Sequence, residues 1–147
     1  MIPPFDSGIY AILDVSRIAG TDDADVPGLL DRLAAYADAA TAAGAVAVQL
    51  RWKALPMGHP ERARACLCVR EAVAGRVPVL CNDDLAAALA ADVGLHLGQL
   101  DGDARALRVP LRTRAMLGRS THTAAQVAAA RVLTVDYLGF GPVRATS

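Results

Sequence analysis

Six short apolar segments, separated by spacers of helical composition, constrain the fold of this chain more than any other feature. They predict strands over residues 9–13, 46–50, 77–81, 93–97, 115–118 and 136–140. Strands that are apolar almost throughout are typical of parallel sheets covered by helices on both faces. The chain is therefore predicted to be an α/β protein built on a parallel sheet.

The spacers predict five helices. The first is opened by acidic residues 22–25 and ends near Gly44, and the others cover about residues 61–74, 85–91, 104–107 and 124–130. Glycine just past a helix and acids in its first turn are common helix boundaries. No linker or low-complexity segment divides the chain, so residues 1–147 are interpreted as a single domain.

Polar or glycine-rich residues follow every predicted strand at its carboxyl end. These clusters cover residues 14–16, 49–53, 82–84, 96–101, 120–122 and 139–142. The carboxyl ends of parallel strands open on one side of the sheet, where α/β enzymes place their chemistry. The order of the clusters therefore predicts a ligand site at that side.

Arg51 and Lys53 lie two positions apart just past a predicted strand, and Gln49 shares their period. In extended backbone the three side chains point the same way, with Trp52 turned aside. A guanidinium, an ammonium and an amide on one side suit a phosphate or diphosphate. The alternative is a solvated surface pair at a strand end.

Asp83 and Asp101 follow two different strands at almost the same depth. Two carboxylates beside a basic cluster predict a Mg²⁺ site, because this ion takes one or two protein carboxylates and completes its shell with water and phosphate. The alternative for an aspartate after a strand is a helix N-cap, the role expected of Asp84. Asn82 adds a further polar group.

Ser120 offers a hydroxyl to a ligand after the fifth strand, whereas Thr123 is expected to cap the next helix. Metal-ligand spacing is absent around the three histidines, and His96 is interpreted as a packed core residue. Residues 139–142, with Thr146, resemble a phosphate-binding loop of backbone donors.

Composition narrows the function classes. Fifteen basic and fifteen acidic residues give a formal net charge of zero, so neither nucleic acid nor a membrane surface is an expected partner. Apolar runs fall short of the roughly 20 residues needed to span a bilayer, and no signal peptide is expected. The three cysteines lack metal spacing and are interpreted as reduced thiols of a cytoplasmic protein.

Five motifs in this order resemble the thiamine phosphate synthase family. They are residues 48–53 (VQLRWK), 82–83 (ND), 94–101 (GLHLGQLD), 118–123 (GRSTHT) and 136–142 (DYLGFGP). The resemblance implies a TIM-barrel type (β/α) parallel sheet. Because such barrels have eight strands and typically about 250 residues, this chain is expected to be truncated after the sixth strand.

The family's reaction joins a hydroxymethylpyrimidine pyrophosphate to a thiazole phosphate, with loss of pyrophosphate and an intermediate pyrimidine-methyl cation. The resemblance implies catalytic roles for Arg51, Lys53 and Ser120 and a substrate-binding role for each of them. It also implies substrate contacts from Gln49, Asn82 and Thr146. Asp83 and Asp101 would hold Mg²⁺.

Two single positions and one loop depart from the family pattern. Trp52 and Leu100 stand where acidic residues are usual, and residues 144–147 (RATS) replace the expected Pro-Thr-x-Thr-Lys loop. Two other functions stay open: an isomerase like the thiazole tautomerases, and a phosphate-binding remnant without catalysis. A homo-oligomer is also left open.

Overall fold

The structure is a computed structural model that describes residues 7–19, 26–111 and 115–142. Its elements, in chain order, are β1 (Ile9–Asp14), α1 (Val15–Ile18), α2 (Val26–Ala42), β2 (Ala45–Arg51), α3 (Pro60–Val73), β3 (Val79–Asn82), α4 (Leu85–Ala91), β4 (Gly94–Leu97), α5 (Ala104–Leu111), β5 (Leu117–Thr121), α6 (Ala124–Ala130) and β6 (Tyr137–Phe140).

The six strands form one parallel sheet in the order β1-β2-β3-β4-β5-β6, each strand pairing with the next along the chain. The predicted parallel α/β sheet is therefore confirmed. A sheet in strictly sequential order is produced when every crossover turns in the same direction, as right-handed β-α-β connections do.

The sheet curls until its first and last strands approach each other. The hydroxyl groups of Tyr10 on β1 and Tyr137 on β6 lie 2.7 Å apart. In a flat sheet, five spacings of about 4.8 Å would hold these strands roughly 24 Å apart. The sheet is therefore a half-barrel with an inner face, as expected for a TIM-barrel type sheet that stops after its sixth strand.

Two apolar layers hold the half-barrel together. The larger lies between the sheet and the helices and includes Leu33, Leu50 and Leu97, each at most 2% exposed. The smaller lies inside the curl, where Ala47, Leu80 and Met116 are packed against the two tyrosines. This inner layer forms the floor beneath the carboxyl ends of the strands.

Local signals explain most of the helix boundaries. The Asp84 side chain accepts from the amide of Ala87, and Thr123 accepts from Gln126, so both predicted N-caps are confirmed. Helix α3 begins after His59 with proline at its first position and ends at Ala74 in the left-handed conformation.

Several predicted boundaries were wrong. The fifth strand runs over Leu117–Thr121 rather than residues 115–118, because its polar end continues the ladder against β6. Helix α5 extends to Leu111, past Pro110, where one or two turns were expected. Arg108 fastens this end of the helix, donating to the carbonyl oxygens of Thr134 and Ala115.

Among the described residues, no helix is both long enough and apolar enough to cross a membrane.

Candidate functional site

A pocket of about 740 Å³ opens at the carboxyl ends of the strands, above the inner apolar layer. All the sequence-predicted site residues within the described part of the chain line it: Gln49, Arg51, Lys53, Asn82, Asp83, Asp101 and Ser120. Thr146 lies outside the described residues. The half-barrel thus brings side chains from β2, β3 and β5, and from the loops after β2, β3 and β4, to one mouth.

The alternation of β2 separates its pocket residues from its core residue. Gln49, Arg51 and Lys53 line the pocket, whereas Trp52 packs in the outer core and is 9% exposed. The side chains of Arg51 and Lys53 remain 38% and 52% exposed at the rim. Two partly exposed cations therefore lie at the entrance, and the buried Gln49 amide lies on the pocket floor.

Each of the two cations is paired with a carboxylate. Arg51 donates to Asp14 at the end of β1, and Lys53 donates to Asp83 after β3. Partial burial alone would raise the pKa of Asp14, but hydrogen bonds from Ser16 and Arg51 lower it below its ordinary value. A phosphate at the entrance would compete with these carboxylates for the two cations.

Asp83 sits in an unusual backbone conformation. Its φ angle is +64°, and the amide of Asp84 donates to the carbonyl of Asn82 at 2.9 Å, which closes a tight turn around it. A non-glycine residue in the left-handed region costs free energy and is common at functional sites. The turn directs the Asp83 side chain into the pocket, where it is 5% exposed.

The carboxyl groups of Asp101 and Asp83 both line the pocket and lie close enough to shift each other's pKa. The amide of Gly98 donates to Asp101 at 2.7 Å, and a Cβ on Gly98 would lie 2.5 Å from the same oxygen, so a side chain there would push the Asp101 carboxylate aside. Burial and the neighbouring Asp83 raise the pKa of Asp101. Burial opposes the ionisation of Asp83, but Lys53 and Asp101 lower its pKa.

This pair fits a hard divalent cation. The described residues contain no group of three or more His, Cys, Asp or Glu side chains that could hold a metal, so protein ligands would number two. Mg²⁺ is commonly held by one or two carboxylates together with phosphate oxygens and water. A cation would also offset the burial and the neighbouring Asp83 carboxylate, which together raise the pKa of Asp101.

A continuous chain of hydrogen bonds crosses the pocket floor from Asp83 to Ser120. In order, it passes through the side chains of Asp83, Asn82, Gln49, Tyr10, Tyr137, His96 and Ser120, with successive separations of 2.5, 2.6, 2.8, 2.7, 2.6 and 2.8 Å. Four sequence-predicted site residues are therefore linked through three residues that were not assigned to the site.

Those three residues are Tyr10, His96 and Tyr137. His96 is 9% exposed, as a core residue would be, but both of its ring nitrogens bond to polar groups facing the pocket. The glycine at position 118 is a sequence feature that is consistent with the position of Tyr137, because a Cβ on Gly118 would lie 2.0 Å from the tyrosine ring. The ring of Tyr137 occupies the space that a side chain at position 118 would fill.

The remaining polar residues at the end of β5 have structural contacts. Thr121 is fully buried and donates to the carbonyl of Gly139 at 2.9 Å. The Nδ1 atom of His122 lies 2.5 Å from the carbonyl oxygen of Gly141 at the pocket edge. The cysteines at positions 66, 68 and 81 are free thiols, the first and last of them buried.

Comparison with known proteins agrees with this geometry. The family model described as thiamine monophosphate synthase matches residues 18–147. A thiamine-phosphate synthase of Xanthobacter autotrophicus is 39% identical over 99% of this chain and 64% of the relative's length. One of Solidesulfovibrio magneticus is 40% identical over 100% of this chain and 65% of its own length.

A solved structure shares the fold. The thiamine phosphate pyrophosphorylase from Pyrococcus furiosus superimposes with a TM-score of 0.72 at 22% identity, over 93% of this chain and 61% of the other. The chain thus spans a little under two thirds of the length of these relatives. The match to the family model over most of the sequence and the identity to the two curated synthases lead to one conclusion: the chain belongs to the thiamine monophosphate synthase family.

Proposed function

We propose that this chain carries the pyrimidine-pyrophosphate half of a thiamine-phosphate synthase site. The observation that supports the proposal is the convergence of Arg51 and Lys53 with Asp83 and Asp101 in one pocket, beside buried amide and hydroxyl groups. The reaction would join 4-amino-2-methyl-5-hydroxymethylpyrimidine pyrophosphate to thiazole phosphate, releasing pyrophosphate. Small-molecule substrates of this kind fit a pocket of about 740 Å³.

The charges at the mouth support a requirement for a divalent cation. Arg51 and Lys53 face three carboxylates, those of Asp14, Asp83 and Asp101, so the protein alone does not offer a net positive site. A Mg²⁺ ion held by Asp83 and Asp101 would supply the missing positive charge and stabilise the departing pyrophosphate.

The protein's own groups would then bind and orient. Lys53, released from Asp83, and Arg51, released from Asp14, would donate to the pyrophosphate oxygens, Arg51 through its two-pronged guanidinium. Gln49, Asn82 and Ser120 would hold the pyrimidine ring on the pocket floor. Because the bond to pyrophosphate breaks before the thiazole nitrogen attacks, stabilising the leaving group is the main task and no general base is needed.

A product assay tests the proposal directly. The 147-residue chain is incubated with Mg²⁺, the pyrimidine pyrophosphate and the thiazole phosphate, and thiamine phosphate is followed by fluorescence after oxidation. Calorimetry with the pyrimidine pyrophosphate alone measures the half-site independently of turnover. We expect Mg²⁺-dependent binding of the pyrimidine pyrophosphate, and folded protein without it would refute the proposal.

The two alternatives predict different outcomes. An isomerase of the tautomerase kind would turn over its thiazole substrate without Mg²⁺ or diphosphate. A remnant without catalysis would bind phosphate compounds and form no product. We further propose a cytoplasmic location, since the cysteines are free thiols, and leave the oligomeric state to sedimentation.

A further inference from the structure

Each hydrogen bond of the chain on the pocket floor has a donor and an acceptor, and the Asp83 carboxylate determines these roles at one end. Asp83 is a carboxylate paired with Lys53, and a carboxylate can only accept. The group of Asn82 that meets it must therefore be the NH₂, 2.5 Å away, and the Asn82 oxygen faces Gln49. Gln49 must in turn present its own NH₂ to Asn82 and its oxygen to Tyr10.

The same logic passes through the two tyrosines. Tyr10 has one hydroxyl proton and donates it to the Gln49 oxygen at 2.8 Å, so the 2.7 Å bond between the tyrosines is donated by Tyr137. Burial raises the pKa of Tyr10 to about 12 and raises that of Tyr137 as well, which keeps both phenols protonated at neutral pH. Tyr137 then has only lone pairs left for the ring of His96, 2.6 Å away.

His96 must accordingly carry its proton on Nδ1. At neutral pH an imidazole ordinarily carries one proton, and since Nδ1 holds it, Nε2 has none. The hydroxyl of Ser120, 2.8 Å from Nε2, is left to donate to it. Every bond in the chain is thus donated toward Asp83, and the Ser120 oxygen keeps its lone pairs for the pocket.

We propose that Tyr10, Tyr137 and His96 are positioning residues that make Ser120 an obligatory hydrogen-bond acceptor, and that this selects a ligand presenting an N–H group over one presenting a carbonyl. The selection rests on the proposed function, whose aminopyrimidine substrate carries such a group. A ligand carbonyl facing Ser120 would meet lone pairs and go unsatisfied, which is costly in a buried site. The direction of the chain itself requires no ligand.

The first test measures directly which ring nitrogen of His96 carries the proton. In protein labelled with ¹⁵N-histidine, we expect His96 to show a protonated Nδ1 and an unprotonated Nε2, with a His96→Gln variant used for assignment. Tyr137→Phe removes the acceptor for Nδ1 while keeping the ring over Gly118, and we expect the proton to move to Nε2. Tyr36→Phe, at a half-exposed position on α2, is the matched control and should leave the tautomer unchanged.

The tautomer test has clear refuting results. A wild-type His96 protonated on Nε2, or one whose tautomer does not respond to Tyr137→Phe, overturns the proposal. The wild-type measurement needs no variant, so it stands even if Tyr137→Phe fails to fold. Tyr10→Phe gives a second route, because it frees the Tyr137 proton to be donated to Nδ1.

The second test measures selection. Calorimetry with Mg²⁺ compares the aminopyrimidine pyrophosphate with its oxo counterpart, in which a carbonyl replaces the amino group. We expect the wild type to prefer the amino compound by roughly tenfold or more, and Tyr137→Phe to reduce the preference to within about threefold. Equal affinities in the wild type overturn the selection by Ser120. Protonated Nδ1 without binding of either compound refutes the proposed function and the ligand assignment, but not the direction of the chain.

Discussion

Replacing Arg62 should destabilise this protein far more than replacing any exposed arginine on the same helix. The Arg62 residue is 4% exposed. It donates to the carbonyls of Leu55 and Asn82, both at 2.9 Å, and its Nε lies 3.0 Å from the Asp84 carboxylate. The Asp84 side chain is 2% exposed, so the charge left behind would have almost no access to water.

The expected magnitude follows from that burial. Removing one partner of a buried ion pair costs about 3–5 kcal/mol, because the other charge remains buried without its counter-charge. The amides of Gly58 and Ala87 still donate to Asp84, so the lower end of this range is expected. Arg62→Met, which keeps most of the side-chain volume, should lose this amount of unfolding free energy. The total free energy of unfolding of a typical domain is about 5–15 kcal/mol. Arg62→Lys keeps the charge but not the two hydrogen bonds to the carbonyls of Leu55 and Asn82, and its loss of unfolding free energy should fall between.

Arg64, two residues along α3, provides the matched control. Its side chain is 60% exposed and pairs with Glu61 at 2.7 Å on the surface. Arg64→Met should cost less than about 0.5 kcal/mol. Adding Asp84→Asn to Arg62→Met removes the orphaned charge while keeping an N-cap acceptor, so the double variant should recover about 1–2 kcal/mol.

Urea denaturation measures these differences. Trp52 is the single tryptophan of the chain and is buried close to the same loops, so its fluorescence reports unfolding together with circular dichroism. If the free energy of unfolding of Arg62→Met lies within about 1 kcal/mol of that of Arg64→Met, the buried ion pair does not stabilise these loops, and the reasoning is wrong. The same holds if the double variant is no more stable than the single one.

Four further predictions concern the site and the sheet. Asp101→Asn should weaken Mg²⁺-dependent pyrophosphate binding in calorimetry, since it removes a hard anionic ligand, and unchanged affinity would exclude Asp101 from the metal site. Gly118→Ala should cost about 1–3 kcal/mol in thermal unfolding and alter the near-ultraviolet dichroism of Tyr137, whose ring the new Cβ would overlap. Burial lowers the pKa of His96 in the folded state, so the free energy of unfolding should fall as pH drops below 6.5, where the unfolded chain gains that proton more readily. His96→Gln should flatten the dependence of the urea midpoint on pH. The 147-residue chain should self-associate in sedimentation velocity, because among the described strands β1 and β6 each pair on one side only, and a monomer at all concentrations would contradict this.

Local rules in the sequence predicted the parts of the site that depend on one strand or one turn. The period of two placed Gln49, Arg51 and Lys53 on the same side, because β2 is extended through Arg51. Asp84 and Thr123 cap helices as expected, since a side-chain oxygen ahead of a helix satisfies a free amide within three residues. These outcomes required no knowledge of the tertiary fold.

The pocket floor could not be predicted in the same way. Tyr10 and Tyr137 are 127 residues apart and meet only because the sheet curls. In each strand a tyrosine among apolar residues is equally consistent with simple packing. His96 was assigned to the core for the same reason, and its burial agrees, but its two polar partners come from other strands.

The buried carboxylate in this pocket is held in place, whereas the exposed lysine can change its position. The proposed chemistry depends on that difference. Asp83 is held by the turn between Asn82 and Asp84, and Arg62 binds both neighbours, so the carboxylate cannot follow a departing partner. Lys53 is half exposed on a flexible stem, so it can leave the buried Asp83 carboxylate when another cation takes its place. In the proposed function, a cation bound to Asp83 would displace Lys53 toward the entrance, where a phosphate would arrive. Because such coupling is reciprocal, phosphate that draws Lys53 away also opens Asp83 to the cation.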